Sequence, residues 1–205
     1  MIASLEACGY QVLAPRVLKA MRYRVPQRCE RLFIIAIHRF LDYRKFTWPQ
    51  PDVMMYTLRD ALKAGTLFDA DVPDSTCDSY SMLQHRFMTK IPPGGNWRDL
   101  PPAWQKAWLG KEYGKPASQV ARRLSWNEPC LPLRDKPILK SHERCHPDET
   151  RPLSVREYAR IQTFPDNWQF QGPLTEQYRQ ISHTVPVNLA TAVAGAAKDF
   201  LLTQS

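Results

Sequence analysis

Residues 150–165, TRPLSVREYARIQTFP, constrain the fold more than any other stretch of the 205-residue sequence. Ser154 followed three residues later by Glu157 is the capping-box pattern, in which each side chain accepts a hydrogen bond from a backbone N–H at a helix start. Leu153 and Tyr158 occupy the positions of a hydrophobic staple. The closing proline disfavours helix at the residue before it, so the sequence predicts a helix of about two to three turns. Because so short a helix is not stable alone, we expect packing on both sides.

The side chains of this helix permit two interpretations. Arg156 and Arg160 lie four residues apart on one face, while the apolar and amide side chains fall on another. That second face carries Val155, Tyr158, Ala159 and Gln162. The simpler interpretation is an ordinary amphipathic helix with solvated arginines. The alternative is a helix with a specific bracing role.

Composition favours a globular protein with an anionic partner. Hydrophobic residues make up 43% of the chain and charged residues 23%, and the formal net charge is +8. Such a basic excess favours a polyanion, although a merely basic protein explains the charge about as well. Five cysteines without a C-x-x-C pair and no secretory leader indicate a reduced, intracellular compartment. The apolar runs are too short to predict a membrane span.

The first 37 residues predict a short helix and two strands. Ile2, Leu5 and Cys8 share a helical face, with Gly9 as the expected C-cap. Strands are predicted over 10–18 and 31–37. The second of these lacks the alternation of a half-exposed strand, so we expect it to be covered on both faces, by elements of another polypeptide.

The helix motif resembles a known family. Residues 151–168, RPLSVREYARIQTFPDNW, resemble motif IX of the DNA cytosine-5 methyltransferases, with matches at Arg151, Glu157, Arg160, Gln162, Phe164 and Pro165. In that family the helix braces the target-recognition region against the catalytic domain. The resemblance therefore implies a bracing role for Arg151, Glu157, Arg160 and Gln162.

A second segment, RYRVPQRCER at 22–31, resembles motif VIII of the same family, Gln-x-Arg-x-Arg after Val-Pro. Gln27 and Arg31 match, Cys29 stands where the family has its first arginine, and Arg28 is adjacent. The resemblance implies that Gln27, Arg28 and Arg31 approach a flipped cytosine and its phosphates. A guanidinium fork suits both targets, whereas a thiol does not. The alternative is a solvated turn.

The irregular middle and the C-terminal end extend the resemblance. IPPGGNWRDLP at 91–101 resembles methyltransferase recognition regions and predicts a Gly-Gly turn presenting Asn96, Trp97 and Arg98, with Asn96 and Arg98 as DNA contacts. Residues 178–194 resemble motif X, with Pro186 opening a helix whose inner face carries Leu189, Val193, Ala197 and Phe200 or Leu201. The preceding turn, with Ser182, His183 and Thr184, is implied to contact S-adenosylmethionine.

Two cysteine-containing patterns could indicate a nucleophile or a zinc site. Cys130 follows a proline, as the family nucleophile does, but Leu131 replaces the expected glutamine, so we exclude it. His142, Cys145 and His146 suggest zinc, yet they lack the paired-ligand spacing of a structural site, and no metal site is predicted.

The sequence thus predicts an α/β protein: edge strands and a terminal helix of a Rossmann-like methyltransferase domain, plus a small irregular target-recognition domain. The predicted divisions are 1–37, 38–150 and 151–205. No Pro-Cys-Gln nucleophile, Phe-x-Gly-x-Gly donor loop or Glu-Asn-Val motif is present. We interpret the chain as the C-terminal subunit or fragment of a cytoplasmic prokaryotic or phage restriction-modification methyltransferase.

On this interpretation the chain is inactive alone, and its partners are double-stranded DNA and an N-terminal subunit carrying the nucleophile. The main alternative is a sequence-specific DNA-binding module without catalysis, or a decayed remnant. A basic structural protein with accidental motif matches is a third.

Overall fold

The computed structural model describes residues 1–109, 121–138 and 144–204. Seven helices and six short strands lie in these ranges. The helices are α1 (Ile2–Ala7), α2 (Leu58–Leu62), α3 (Met82–Met88), α4 (Pro102–Leu109), α5 (Val155–Ile161), α6 (Leu174–His183) and α7 (Val187–Leu202). The strands are β1 (Tyr10–Val12), β2 (Arg16–Lys19), β3 (Glu30–Phe33), β4 (Ala36–His38), β5 (Arg122–Arg123) and β6 (Arg144–Cys145). The fold is therefore mixed α/β.

The two strands predicted near the N-terminus form a hairpin of four shorter strands, β1–β4. β1 pairs with β4 and β2 with β3, both antiparallel. Between the pairs Val12↔Ala36 and Arg16↔Phe33, three residues on one side face two on the other, which is the signature of a bulge. Pro15 lies in the longer side and has no N–H to donate, so it interrupts the predicted 10–18 strand.

The apolar run 32–37 is covered on one face by the described residues. Leu18 and Ile37 are buried, and Leu18 packs in one cluster with Leu189 of α7. Val17 and Leu32, directly opposed across β2 and β3, are 56% and 61% exposed. Helix α7 covers one face, the described residues leave the other exposed, and cover from another polypeptide stays a prediction. The short helix α1 also forms as predicted, but none of its residues is buried.

Helix α5 confirms the capping prediction. Ser154 Oγ accepts from the Glu157 N–H at 3.3 Å, and the Glu157 carboxylate accepts from the Ser154 N–H at 2.6 Å. Leu153 and Tyr158 are fully buried in the main core. α5 packs between α2 and α6, which supply the two-sided support that a two-turn helix needs. The solvated interpretation is wrong for Arg160, which is 1% exposed.

A second apolar cluster forms the core of the middle region, with Phe87, Met88, Ile91, Trp97, Leu100 and Trp108 among its members. The predicted Gly-Gly turn is present, since Gly94 has φ +77° and Gly95 N–H donates to Pro92 O at 2.9 Å. The turn does not present Trp97, however, whose side chain is buried in this cluster. Trp97 therefore fills the core of the middle region.

The C-terminal end folds as α6 and α7, separated at Thr184–Pro186. Leu189, Val193 and Phe200 are buried as predicted, whereas Leu201 is 58% exposed. The span Leu174–Leu202 passes for a membrane-crossing segment by length and composition alone, with a mean hydropathy of 1.2. It is divided by Pro186, and its buried residues pack against the hairpin and the main core.

Candidate nucleic-acid interface

Segment 25–31, which carries the predicted base-contacting residues, lies beside residues 128–131. Cys130 N–H donates to Pro26 O and Arg28 N–H donates to Cys130 O, each at 2.8 Å. This bridge draws Gln27 inside, where it is 1% exposed and its Nε2 makes no hydrogen bond with any described residue. Arg28 points outward and is exposed. Arg28 can therefore meet a ligand from solvent, whereas Gln27 cannot.

Two arginines share one acidic partner on this surface. Arg28 and Arg122 lie 3.6 Å and 3.7 Å from the Glu128 carboxylate. Both ion pairs are partly solvated, so each contributes little to stability. Two guanidinium groups against one carboxylate leave a net positive charge, which suits phosphate oxygens.

Arg31 joins two distant parts of the chain. Its Nη1 donates to Cys29 Sγ at 2.7 Å and to Glu30 O at 3.2 Å, and its Nη2 donates to Thr184 O at 3.2 Å. Thr184 follows α6 and is 153 residues away in sequence. The structure therefore places the predicted base-contacting segment against the predicted cofactor turn.

That turn is helical where the sequence suggested a loop. Ser182 and His183 form the last turn of α6. Ser182 Oγ is buried, 3.3 Å from Asp135 Oδ1, and Thr184 Oγ1 donates to Ile181 O at 2.7 Å. His183 lies 3.2 Å from Asp135 Oδ1, and its ring is exposed. The two hydroxyl groups are thus occupied within the chain, and the imidazole faces solvent.

The predicted brace is a cluster of paired charges around α5. The Glu157 carboxylate accepts from both terminal nitrogens of Arg151 at 2.8 Å while capping the helix. Arg151 also donates to Glu149, and these hydrogen bonds raise its pKa. His146 Nδ1 accepts from the N–H groups of Asp148 and Glu149, and burial lowers the pKa of His146. A fixed network therefore ties residues 146–151 to the helix.

Arg160 extends from α5 to the segment after α2. Its guanidinium donates to both oxygens of Asp166 at 2.8 and 2.6 Å, and to the carbonyls of Ala70 and Asp71 at 2.8 and 3.2 Å. The hydrogen bond from Arg160 lowers the pKa of Asp166. The Phe68 ring lies 4.3 Å from the guanidinium carbon. This arginine holds three chain segments in one geometry.

Gln162 connects the end of α5 to the last two helices. Its side-chain Nε2 donates to Ile181 O at 3.2 Å, and its backbone carbonyl accepts from the Val187 N–H at 3.0 Å. The side chain is 1% exposed. All four residues predicted to brace the fold therefore make contacts between separate segments.

In the middle region the predicted DNA-contacting residues differ in availability. Asn96 Oδ1 accepts from the Arg98 N–H at 3.0 Å, so the side chain caps a short 3-10 turn. Arg98 is exposed and lies over the Trp97 ring, 5.0 Å from its centroid. Arg98 is thus open to a ligand, while the Asn96 oxygen is engaged.

Arg123 is a central residue that the sequence did not reveal. It is 4% exposed and donates to the carbonyls of Met88, Ile91, His146, Pro147 and Glu149 and to Thr150 Oγ1. Arg123 therefore links the middle region to the brace. Arg144, paired with Arg122 across β5 and β6, is also buried. Neither arginine lies in a motif, and only the apolar neighbours of Arg123 in ARRLSW hinted at burial.

The cysteines are mostly shielded. Cys130 is 1% exposed, and burial raises its pKa to about 12. Cys29 and Cys145 are also buried, and Cys8, just after α1, is exposed. Among the residues with described placement, no three His, Cys, Asp or Glu side chains form a group able to hold a metal ion. His142 of the zinc pattern lies outside the described residues.

The chain is similar in sequence to known proteins. The chain is 51% identical over 188 residues to the type II methyltransferase M.Eco47II of Escherichia coli, covering 90% of this chain and 45% of that protein. It is 48% identical over 198 residues to M.PspPI of Psychrobacter, covering 95% and 48% respectively. The chain therefore spans about half the length of these curated relatives.

Structural comparison agrees at the level of the fold. The Dnmt2 methyltransferase of S. pombe superposes with a TM-score of 0.54 at 13% identity, over 97% of this chain and 60% of that one. The family model for C-5 cytosine-specific DNA methylase matches residues 1–199. With nearly the full sequence matched, the chain belongs to the C-5 cytosine-specific DNA methylases.

Proposed function

We propose that this chain supplies the target-recognition and bracing half of a DNA cytosine-5 methyltransferase of the restriction-modification type. The division into 1–37, 38–150 and 151–205 belongs to this proposal. The observation that carries it is the network around α5, in which Arg151 and Arg160 join the middle region, at Glu149 and Ala70, to a helix that packs against α6. A recognition surface needs such rigid support to hold base-reading groups in register.

The nucleophile in this proposal comes from residues outside the 205, in the same polypeptide or in another. The family reaction adds a thiolate to C6 of an extruded cytosine, because that atom is not reachable within the base stack. Burial raises the pKa of Cys130 to about 12, so its thiol stays protonated near neutral pH. Cys130 therefore stays an unsuitable nucleophile in this proposal, in agreement with the sequence argument.

Each surface arginine has a role in this proposal. Arg28 and Arg122 contact phosphates beside the target base, and Arg31 holds the extruded cytosine and its flanking phosphate. Arg98 contacts DNA from the middle region. Gln27 keeps segment 25–31 in place from inside, and Asn96 keeps the turn that carries Arg98.

S-adenosylmethionine supplies the methyl group in this family, and the residues around α6 fit it in part. Ser182 and Thr184 have hydroxyl groups that already bond within the chain, so they fit a shaping role. His183 fits direct contact, since its ring is exposed beside them and can both donate and accept hydrogen bonds.

The test is reconstitution. We expect the purified chain to transfer no labelled methyl group from S-adenosylmethionine to duplex DNA. Co-expression with the part of M.Eco47II that this chain does not match should restore transfer and protect plasmid DNA from members of a restriction-enzyme panel. Arg31→Met should abolish protection, whereas Arg44→Met, which removes the same charge from an exposed ion pair, should not.

Three outcomes separate the alternatives. Methyl transfer by the chain alone would contradict the division of labour proposed here. Sequence-specific DNA binding without transfer in the reconstituted sample would favour the non-catalytic recognition module. Neither binding nor transfer would favour a decayed remnant.

A further inference from the structure

The Cys29 sulfur contacts the guanidinium of Arg31. The Cys29 side chain is 4% exposed and packs in the cluster of Leu18, Ala20 and Leu189, so the sulfur has a fixed position. It accepts a hydrogen bond from Arg31 Nη1. Resting on the function proposed above, we propose that Cys29 is a positioning residue, whose sulfur aims the Arg31 guanidinium at the target nucleotide.

The guanidinium is held from two sides. Cys29 Sγ and Glu30 O accept hydrogen bonds from Nη1, and Thr184 O accepts one from Nη2. Two of the five N–H groups of Arg31 make no hydrogen bond within the part of the chain that the structure describes, and they remain for a base edge or a phosphate. Fixing a long side chain in advance reduces the entropy lost when a ligand binds.

A neutral acceptor suits this task better than a charged one. Burial keeps the thiol protonated by raising the pKa of Cys29, despite the nearby guanidinium. A carboxylate at the same place would offset the positive charge that Arg31 brings to DNA, and a second arginine would repel it. The thiol orients Arg31 and leaves its charge undiminished. The departure from the family pattern at position 29 is therefore an alternative way of placing the second arginine.

The experiment compares Cys29→Ala with Cys29→Ser in the reconstituted enzyme. Alanine removes the acceptor, while serine keeps a small one. We expect Cys29→Ala to lower kcat about tenfold, in line with the loss of a hydrogen bond to a charged group, and to leave KM for DNA within about twofold. Serine should recover most of the rate. The slope of DNA affinity against salt should be the same for all three proteins, because the charge is unchanged.

A second measurement reports orientation without turnover. 2-Aminopurine at the target position fluoresces on extrusion, and we expect a weaker signal with Cys29→Ala than with Cys29→Ser. If the wild-type pair methylates DNA and Cys29→Ala matches it in kcat and fluorescence, the inference is overturned and the proposed function stands. If alanine and serine lower Tm and kcat together, Cys29 has only a packing role, which also overturns it. A wild-type pair that transfers no methyl group overturns both.

Discussion

Helix α5 and the N-terminal hairpin, β1–β4, have opposite patterns of side-chain burial. On α5, charged side chains are inside: Glu157 and Arg160 are 2% and 1% exposed. On the hairpin, apolar side chains are outside: Val17 and Leu32 are more than half exposed and face each other across two strands. Helix α5 buries charged side chains, which usually lie in water, and the hairpin exposes apolar side chains, which usually lie in the core.

The difference has a physical consequence for each region. A buried charge is tolerated only with fixed, well-oriented partners, and Glu157 and Arg160 have theirs in Arg151 and Asp166. An exposed apolar pair gains free energy when another apolar surface covers it. The charges of the brace are therefore paired, whereas the outer face of the hairpin would gain free energy from contact with an apolar surface.

The largest expected effect tests the buried side of this comparison. Arg160→Lys keeps the charge but removes the planar guanidinium, which donates hydrogen bonds to Asp166 and to the carbonyls of Ala70 and Asp71. We expect the unfolding free energy to fall by about 2–3 kcal/mol, since a buried cation at position 160 would lose most of its hydrogen bonds. Urea denaturation of the variant and the wild type measures this loss of unfolding free energy.

Arg156→Lys is the matched control, four residues away on the same helix. Arg156 donates to the Pro165 and Trp168 carbonyls at the surface, so the same substitution should change stability by under about 0.5 kcal/mol. Equal losses for the two variants would contradict the view that α5 depends on its buried arginine.

The sequence predicted α5 well because its signals are local. The Ser154–Glu157 cap, the staple and the closing proline are set by residues within a few positions of one another. The inner face of α7 was predictable for the same reason. Gly94 likewise marked its turn through the backbone conformation that glycine permits.

Other features depend on contacts that spacing does not encode. Arg160 and Arg156 have the same helical pattern, and only the distant segment at 68–71 decides which one is buried. The six acceptors of Arg123 come from two separate stretches of chain, 88–91 and 146–150. The burial of Trp97 and the break at Pro15 likewise follow from packing and strand register, which are tertiary properties.

A smaller effect should appear as pH dependence in the brace. His146 faces Asp148, Glu149, Arg151 and Glu157, with the Trp126 ring against it. Its folded-state pKa lies below the unfolded value, so below about pH 6.5 the unfolded chain binds a proton that the folded chain does not. Stability should therefore fall as pH decreases from about 6.5, by at most about 1.4 kcal/mol per pH unit.

His146→Gln should flatten this slope in denaturation curves between pH 7 and 5, because glutamine does not titrate. His85→Gln, at an exposed position on α3, should leave the slope unchanged. A slope that survives in His146→Gln would show that another group in the brace titrates in this window.

The smallest effect on stability, and the most informative for the hairpin, comes from Leu32→Ser. Because Leu32 is 61% exposed, its loss should change the unfolding free energy of the chain by under about 0.5 kcal/mol. If the outer face docks the catalytic part, the same change should weaken assembly about tenfold or more, since a covered leucine contributes about 1.5–3 kcal/mol. Leu83→Ser, also 61% exposed but on α3, should alter neither quantity. Calorimetric titration with the complementary part of M.Eco47II measures assembly, and equal affinities for the two variants would remove the hairpin from the interface.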